Sequence, residues 1–176
     1  KKSDIFSDVL LFTPYVFEDF RGNYIETYNE EFYNETTSKL LGTKVKFVQD
    51  DISNSSKNVL RGLHGDSRTW KLIQCLYGEF LLVAVDMRKD SDTYLKWESY
   101  KLSAKNNNQV LLPPNFVNGH LCITDHCIFS YKQSTYYEGA ENQMTVKWND
   151  PAIGINWPID KPKLSDRDNN VGLINV

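Results

Sequence analysis

Arg61, Gly62 and His64 stand within four residues of one another after the apolar pair Val59-Leu60, and Lys71 follows His64 by seven positions. A guanidinium and an ammonium bind anions, while an imidazole takes up and releases protons near neutral pH. A solvated loop has little use for Val59, Leu60 and Leu63, and a pure core strand would not carry Arg61 and His64. A lone histidine in such a run reads first as a hydrogen-bonded structural residue. Here four features converge, which favours an anion-binding and proton-transferring site. Tyr131 lies in Phe129-Ser130-Tyr131-Lys132, where strand alternation would put Phe129, Tyr131 and Gln133 on one face and turn the phenol inward. With ten tyrosines in the chain, that position alone reads as packing. Tyr136 and Tyr137 follow at or beyond the strand end, where side chains leave a core and meet a cavity mouth. Asp168, in Leu164-Ser165-Asp166-Arg167-Asp168, is an ordinary turn carboxylate unless it partners His64.

The elements that would position these groups are mostly strands. Runs rich in β-branched and aromatic residues recur at 9–12, 24–28, 44–48, 59–63, 72–76, 80–86, 94–102, 110–112, 122–123, 127–131 and 144–148, punctuated by Gly, Asn, Asp and Pro. That rhythm belongs to a sandwich or barrel. The runs either side of Gly78-Glu79 read as a tight hairpin. One helix is expected over about 30–41, with Asn29 as N-cap and Gly42 as the stop. The tail from Asp150, with Pro151, Pro158 and Pro162, should wrap the surface as extended and turn segments. Strict alternation would place Arg61 and His64 on opposite strand faces, so a shared ligand requires a bulge or bend at Gly62.

Composition narrows the class. A chain of 176 residues fits one domain, expected over 1–176. With 20 basic and 23 acidic residues, a net charge of -3 and no long block of either sign, neither a nucleic-acid nor a membrane partner is expected. Cys75, Cys122 and Cys127 sit in apolar segments and are odd in number, which fits reduced core thiols and a cytoplasmic location. The amino-terminal residues show no apolar signal region, and the longest uncharged apolar run, 80–85, ends at Asp86.

Many stretches, in one order across nearly the whole chain, resemble the dTDP-4-dehydrorhamnose 3,5-epimerase family of nucleotide-sugar enzymes. They include Phe20-Arg21-Gly22 with Glu26, Phe47-Val48-Gln49-Asp50, residues 58–64, Lys71-Leu72, Tyr131-Lys132, Trp148-Asn149-Asp150, Ile155-Asn156-Trp157-Pro158 and Leu164 to Asp168. The resemblance implies a mainly β fold, a cupin-like jelly roll (double-stranded β-helix) with one or a few short helices. It also implies a homodimer, no metal and no cofactor, and epimerisation of a 4-keto sugar carried on a nucleoside diphosphate. By this resemblance His64 is the base, Asp168 its orienting carboxylate, Tyr131 the opposing acid and Lys71 the stabiliser of the oxyanion. Arg21, Arg61 and Arg167 match positions that contact the diphosphate or nearby sugar, and Glu26 and Gln49 match base or ribose contacts. Tyr136 joins the expected substrate-binding set.

The chain departs from the family pattern in two places. In Pro113-Pro114-Asn115-Phe116-Val117-Asn118-Gly119-His120 the family histidine is replaced by Asn118, which lines the expected sugar pocket, and His120 falls at the following aromatic position. The 65–70 segment before Lys71 is shorter than usual. Both changes resemble a subgroup acting on GDP-linked 4-keto heptoses for bacterial capsular polysaccharide, so GDP is favoured over dTDP, with a dTDP-4-keto-6-deoxyhexose as the alternative. A 3,4-ketoisomerase on the same fold would also begin by deprotonating C3. A metal-dependent dioxygenase would need clustered histidines with a carboxylate, a spacing that His64, His120 and His126 do not offer. A non-catalytic sugar-nucleotide binder would keep the arginines and have no use for His64 and Tyr131.

Overall fold

The computed structural model describes residues 1–174. The chain runs β1 (Leu10–Phe12), β2 (Val16–Asp19), β3 (Gly22–Ile25), α1 (Glu30–Leu41), β4 (Gln49–Ser56), β5 (Leu60–Gly65) and β6 (Lys71–Tyr77). It continues through β7 (Glu79–Asp86), β8 (Trp97–Ser103), β9 (Gln109–Leu112), β10 (Phe116–Cys122), β11 (His126–Gln133), β12 (Met144–Thr145) and α2 (Asp166–Asn170). Strands order as β1-β9-β6-β11-β4 in one sheet and β12-β5-β10-β7-β8 in the other, with β2-β3 as a separate hairpin. The pairings are antiparallel. The two five-stranded sheets face each other as a jelly roll, the expected fold class.

The inner faces meet in a core of Ile73 and Cys75 from β6, Phe80, Leu82 and Ala84 from β7, Phe116 from β10 and Phe129 from β11. Both outer faces are covered as well. Helix α1 lays Tyr33 over Leu10, Phe12, Leu72 and Leu111 of the first sheet. Val146 and the carboxy-terminal tail, through Ile153 and Trp157, lie on Leu60, Leu63, Val83, Val85, Val117 and Leu121 of the second. Leu60 and Leu63 are 1% and 0% exposed beneath it, burial that contributes on the order of 2 kcal/mol each. The tail thus fastens the outer face of β5 while leaving its inner face free to carry a site.

Helix α1 has the boundaries its sequence implies. The Asn29 side chain accepts from the Phe32 N–H at 3.2 Å, and Gly42 closes the helix at φ 73° with its N–H donated to the Ser38 carbonyl. Elsewhere the strands depart from expectation. Residues 44–48 form no strand, although the Val48 N–H donates to the Gln133 carbonyl at 2.8 Å; Val45 is buried, Phe47 packs on Tyr28, and the strand follows at β4. β4 is an edge strand paired only with β11, so its polar sequence Gln-Asp-Asp-Ile-Ser-Asn-Ser-Ser carries little strand signal. The run at 24–28 pairs only as far as Ile25. β6 and β7 flank Gly78 as expected, yet they are not hairpin partners, because the chain changes sheet there. Gly78 takes φ 68°, and an added Cβ would meet the His126 carbonyl oxygen at 2.1 Å. The tail also contains the short helix α2, which proline content alone does not reveal.

Candidate active site

One end of the space between the sheets opens into a cavity of about 680 Å³. His64 enters it from β5 and Asn118 from β10, on the second sheet; Lys71 from β6 and Tyr131 from β11 enter from the first. Arg61, Arg167 and Asp168 complete the expected residues that line it. Catalytic candidates therefore project from opposite sheets onto one volume. The phenol and the imidazole approach any ligand there from different walls.

The bend required at Gly62 is present. Arg61 pairs with His120 and His64 with Asn118, so β5 takes three steps where β10 takes two. That bulge returns Arg61 and His64 to the cavity side while Leu60 and Leu63 both face the tail. Gly62 has φ 122°, and a Cβ there would lie 2.6 Å from both the Asn118 carbonyl oxygen and Gly119 Cα. No other residue type fits that approach without moving the neighbouring strand.

Asp168 is held by the start of α2. Ser165 caps the helix, its hydroxyl accepting from the Asp168 N–H at 3.2 Å. A carboxylate at this place in the first turn commonly reaches back to the cap. Here it is directed elsewhere: one oxygen accepts from the Gly62 N–H at 3.2 Å and the other from His64 Nε2 at 2.5 Å. Asp168 is 2% exposed. Burial alone would raise its carboxyl, but the hydrogen bond and charge of His64 together with the Gly62 N–H hold it below the usual carboxylate range. An ionised Asp168 fixes the proton of His64 on Nε2, which leaves Nδ1 with its lone pair as the basic nitrogen.

Lys71 is buried, and its Nζ donates to Asn118 Oδ1 at 3.4 Å. Burial, opposed by the charge of Asp66 and reinforced by that of Arg167, lowers its ammonium to about 8. Tyr131 moves the other way, with burial first and the charges of Asp51 and Tyr137 after it pushing the phenol up to about 12. At neutral pH the lysine is a cation and the phenol keeps its proton. Arg61 donates from Nε to Ser55 Oγ at 3.0 Å and from a terminal nitrogen to the Asn54 carbonyl at 3.0 Å. Arg167 is held by Thr145 Oγ1 at 2.6 and 2.9 Å, on the strand that pairs with His64.

Four expected residues lie outside this cavity. Arg21 is exposed at the tip of the β2–β3 hairpin and pairs with Asp19. Glu26 borders a separate groove with Phe12, Tyr15 and Tyr33. The Gln49 side chain is engaged, donating to Asp51 and accepting from the Tyr137 N–H at 2.9 Å. Tyr136 turns to a shallow hollow beside Arg68 and Glu138, and its neighbour Tyr137 lines the cavity instead. Sequence reasoning gave no role to Lys163, Gln143 or His120, all of which line the cavity. The Lys163 backbone is brought to β5 by bonds with Asn58 and Leu60, a long-range bridge that no local pattern announces. Among the described residues, no group of three or more His, Cys, Asp or Glu is placed to hold a metal ion. No described helix is long and apolar enough to cross a membrane.

The model of the dTDP-4-dehydrorhamnose 3,5-epimerase family matches residues 4–175. The chain belongs to that family. A dTDP-4-dehydrorhamnose 3,5-epimerase from Salmonella typhimurium is 44% identical over 165 residues, covering 92% of this chain and 87% of its own. A dTDP-4-dehydro-6-deoxyglucose 3-epimerase from a Streptomyces species is 32% identical over 164 residues, covering 89% and 80%. Among solved structures, the dTDP-6-deoxy-D-glucose-3,5-epimerase of Legionella pneumophila in complex with dTDP-4-keto-L-rhamnose superposes with a TM-score of 0.88 at 32% identity. That match covers 98% of this chain and 90% of the Legionella chain. This protein is accordingly a carbohydrate epimerase, an isomerase acting on a nucleotide-linked sugar.

Proposed function

We propose that the chain inverts C3 and then C5 of a dTDP-linked 4-keto-6-deoxyhexose. The observation that carries this reading is the His64–Asp168 pair and Tyr131 projecting from opposite sheets into a cavity that also holds the Lys71 ammonium. The C4 ketone acidifies the hydrogens on C3 and C5. His64 Nδ1 removes one, and the electron pair moves into the ring as an enolate whose oxygen faces Lys71. Tyr131 then delivers its proton to the same carbon from the opposite ring face, which inverts it. Solvent reprotonates the phenolate and receives the proton from His64. Arg61, Arg167 and Lys163 supply the positive mouth for the diphosphate.

The expectation of a GDP-linked heptose for capsular polysaccharide, drawn from Asn118 and the 65–70 segment, finds no support among the relatives. The relatives described above carry dTDP sugars in their names, so the dTDP alternative fits better. Inversion at both carbons follows the more similar, 3,5-epimerase relative. The test is a panel of dTDP-4-keto-6-deoxyglucose and GDP-4-keto heptose assayed under one condition. A kcat/KM at least about tenfold higher for the dTDP sugar is expected, and the reverse order would overturn the nucleotide assignment.

We also infer a homodimer. The β2–β3 hairpin carries Phe20 at 98% exposure beside the exposed Tyr15, Phe17 and Tyr24. Arg21 on its tip pairs with Asp19 and is not among the described residues that line the cavity. A second copy would bury those rings and could receive Arg21 and Glu26 at its cavity. Sizing at micromolar concentration should give a dimer, and a monomer there would contradict the inference.

A further inference from the structure

His120 lines the cavity beneath Arg61 and His64 and has no part in the proposed proton transfers. It is 3% exposed, stacked on Phe129 with centroids 4.1 Å apart and planes 10° from parallel, and 5.2 Å from the Phe80 ring. Its Nε2 is buried and has no hydrogen-bond partner among the described residues. Leaving such a group unpaired in a buried place is destabilising. A phenylalanine would complete the same stack without that cost, so packing alone does not account for the imidazole. Burial first, then the charges of Arg61 and His64, lower its pKa to about 3, and the ring is neutral. A neutral imidazole offers one donor and one acceptor, which suits a hydroxyl better than a phosphate. A half-turn about Cβ–Cγ would keep the ring in plane on Phe129 while exchanging its nitrogen and carbon positions, so the stack does not fix which ring edge carries the nitrogens.

The strand register suggests which hydroxyl. Along β10, His120 stands opposite Arg61, and Asn118 stands opposite His64 and holds Lys71. Moving from residue 120 to 118 therefore runs from the guanidinium at the diphosphate to the ammonium at the C4 oxygen. In a pyranose the phosphate is on C1 and C4 lies across the ring, so the first hydroxyl met along that path is the one on C2. We propose that His120 is a specificity-determining contact that hydrogen-bonds the C2 hydroxyl of the sugar, an inference that rests on the epimerase reading above for the ligand's orientation.

The experiment compares the dTDP-4-keto-6-deoxy sugar with its 2-deoxy counterpart, using the wild type and His120→Phe. A second readout is calorimetric binding of dTDP-glucose and dTDP-2-deoxyglucose, which lack the ketone and do not react. The wild type should favour the hydroxylated member of each pair by about tenfold, the worth of one neutral hydrogen bond. In His120→Phe both ratios should fall to about one. If that variant does not fold, His120→Gln, which keeps a donor and acceptor, should retain part of the preference. A His120→Phe protein that keeps the full tenfold preference, or a wild type with none, would overturn the proposal. Absence of C3 exchange with any 4-keto sugar would instead sink the epimerase reading, and the calorimetric ratio would still decide the role of His120.

Discussion

Lys71 is a cation placed where cations are disfavoured, and its depressed pKa of about 8 turns that placement into a measurable limit. The free enzyme carries the ammonium below about pH 8 and loses it above, so kcat/KM should fall as pH rises through about 8. The contribution of this group to stability runs the opposite way. Its folded value lies below its ordinary 10.5, so the penalty for burying the charge is present below about 8 and fades as the pH climbs toward 10.5. Loss of activity on the alkaline side is therefore expected without loss of fold from this residue. Lys71→Arg should move the alkaline limb upward by about two pH units or abolish it, at some cost in rate; a limb left at pH 8 would show that another group titrates. The candidate catalytic residues His64, Lys71, Tyr131 and Asp168 were legible as types and through family resemblance. Which nitrogen of His64 pairs with Asp168 was not, since that depends on how Asp168 is turned by α2.

At the scale of elements, one bulge determines whether the site exists. Gly62→Ala would force a side chain into a left-handed φ of 122° and against the backbone of β10. It should cost roughly 2–4 kcal/mol, read as a lower urea midpoint, with activity falling further than stability because Arg61 and His64 lose their common face. Full activity and an unchanged midpoint would mean the bend is not required. This bend was foreseeable because alternation gave a contradiction that only Gly62 could resolve. Helix α1 was equally legible, since Asn29 and Gly42 mark its ends. β10 was not: all seven of its residues are buried between the core and the tail, so no alternation survives, and Asn118-Gly119-His120 reads as a break. The supposed β6–β7 hairpin failed for a related reason. A glycine at positive φ marks a sharp turn but does not tell whether the chain pairs with itself or crosses to the facing sheet.

The whole molecule explains why residues a hundred positions apart share one cavity. Facing sheets supply two walls, and the tail, wrapped over the outer face of the second, ends by inserting α2 behind His64. The β2–β3 hairpin that carries Arg21 forms a sheet of its own, and Arg21 is not among the residues that line the cavity. The central claim, a base on one sheet and an acid on the other, has a direct test in proton NMR of the 4-keto sugar nucleotide in deuterated water. The wild type should place deuterium at C3 and C5 with inversion. His64→Asn should lose exchange by about 10²–10⁴-fold while still binding dTDP, and Tyr131→Phe should retain the first exchange while inverting poorly. Exchange at the wild-type rate by His64→Asn, or full inversion by Tyr131→Phe, would contradict that claim.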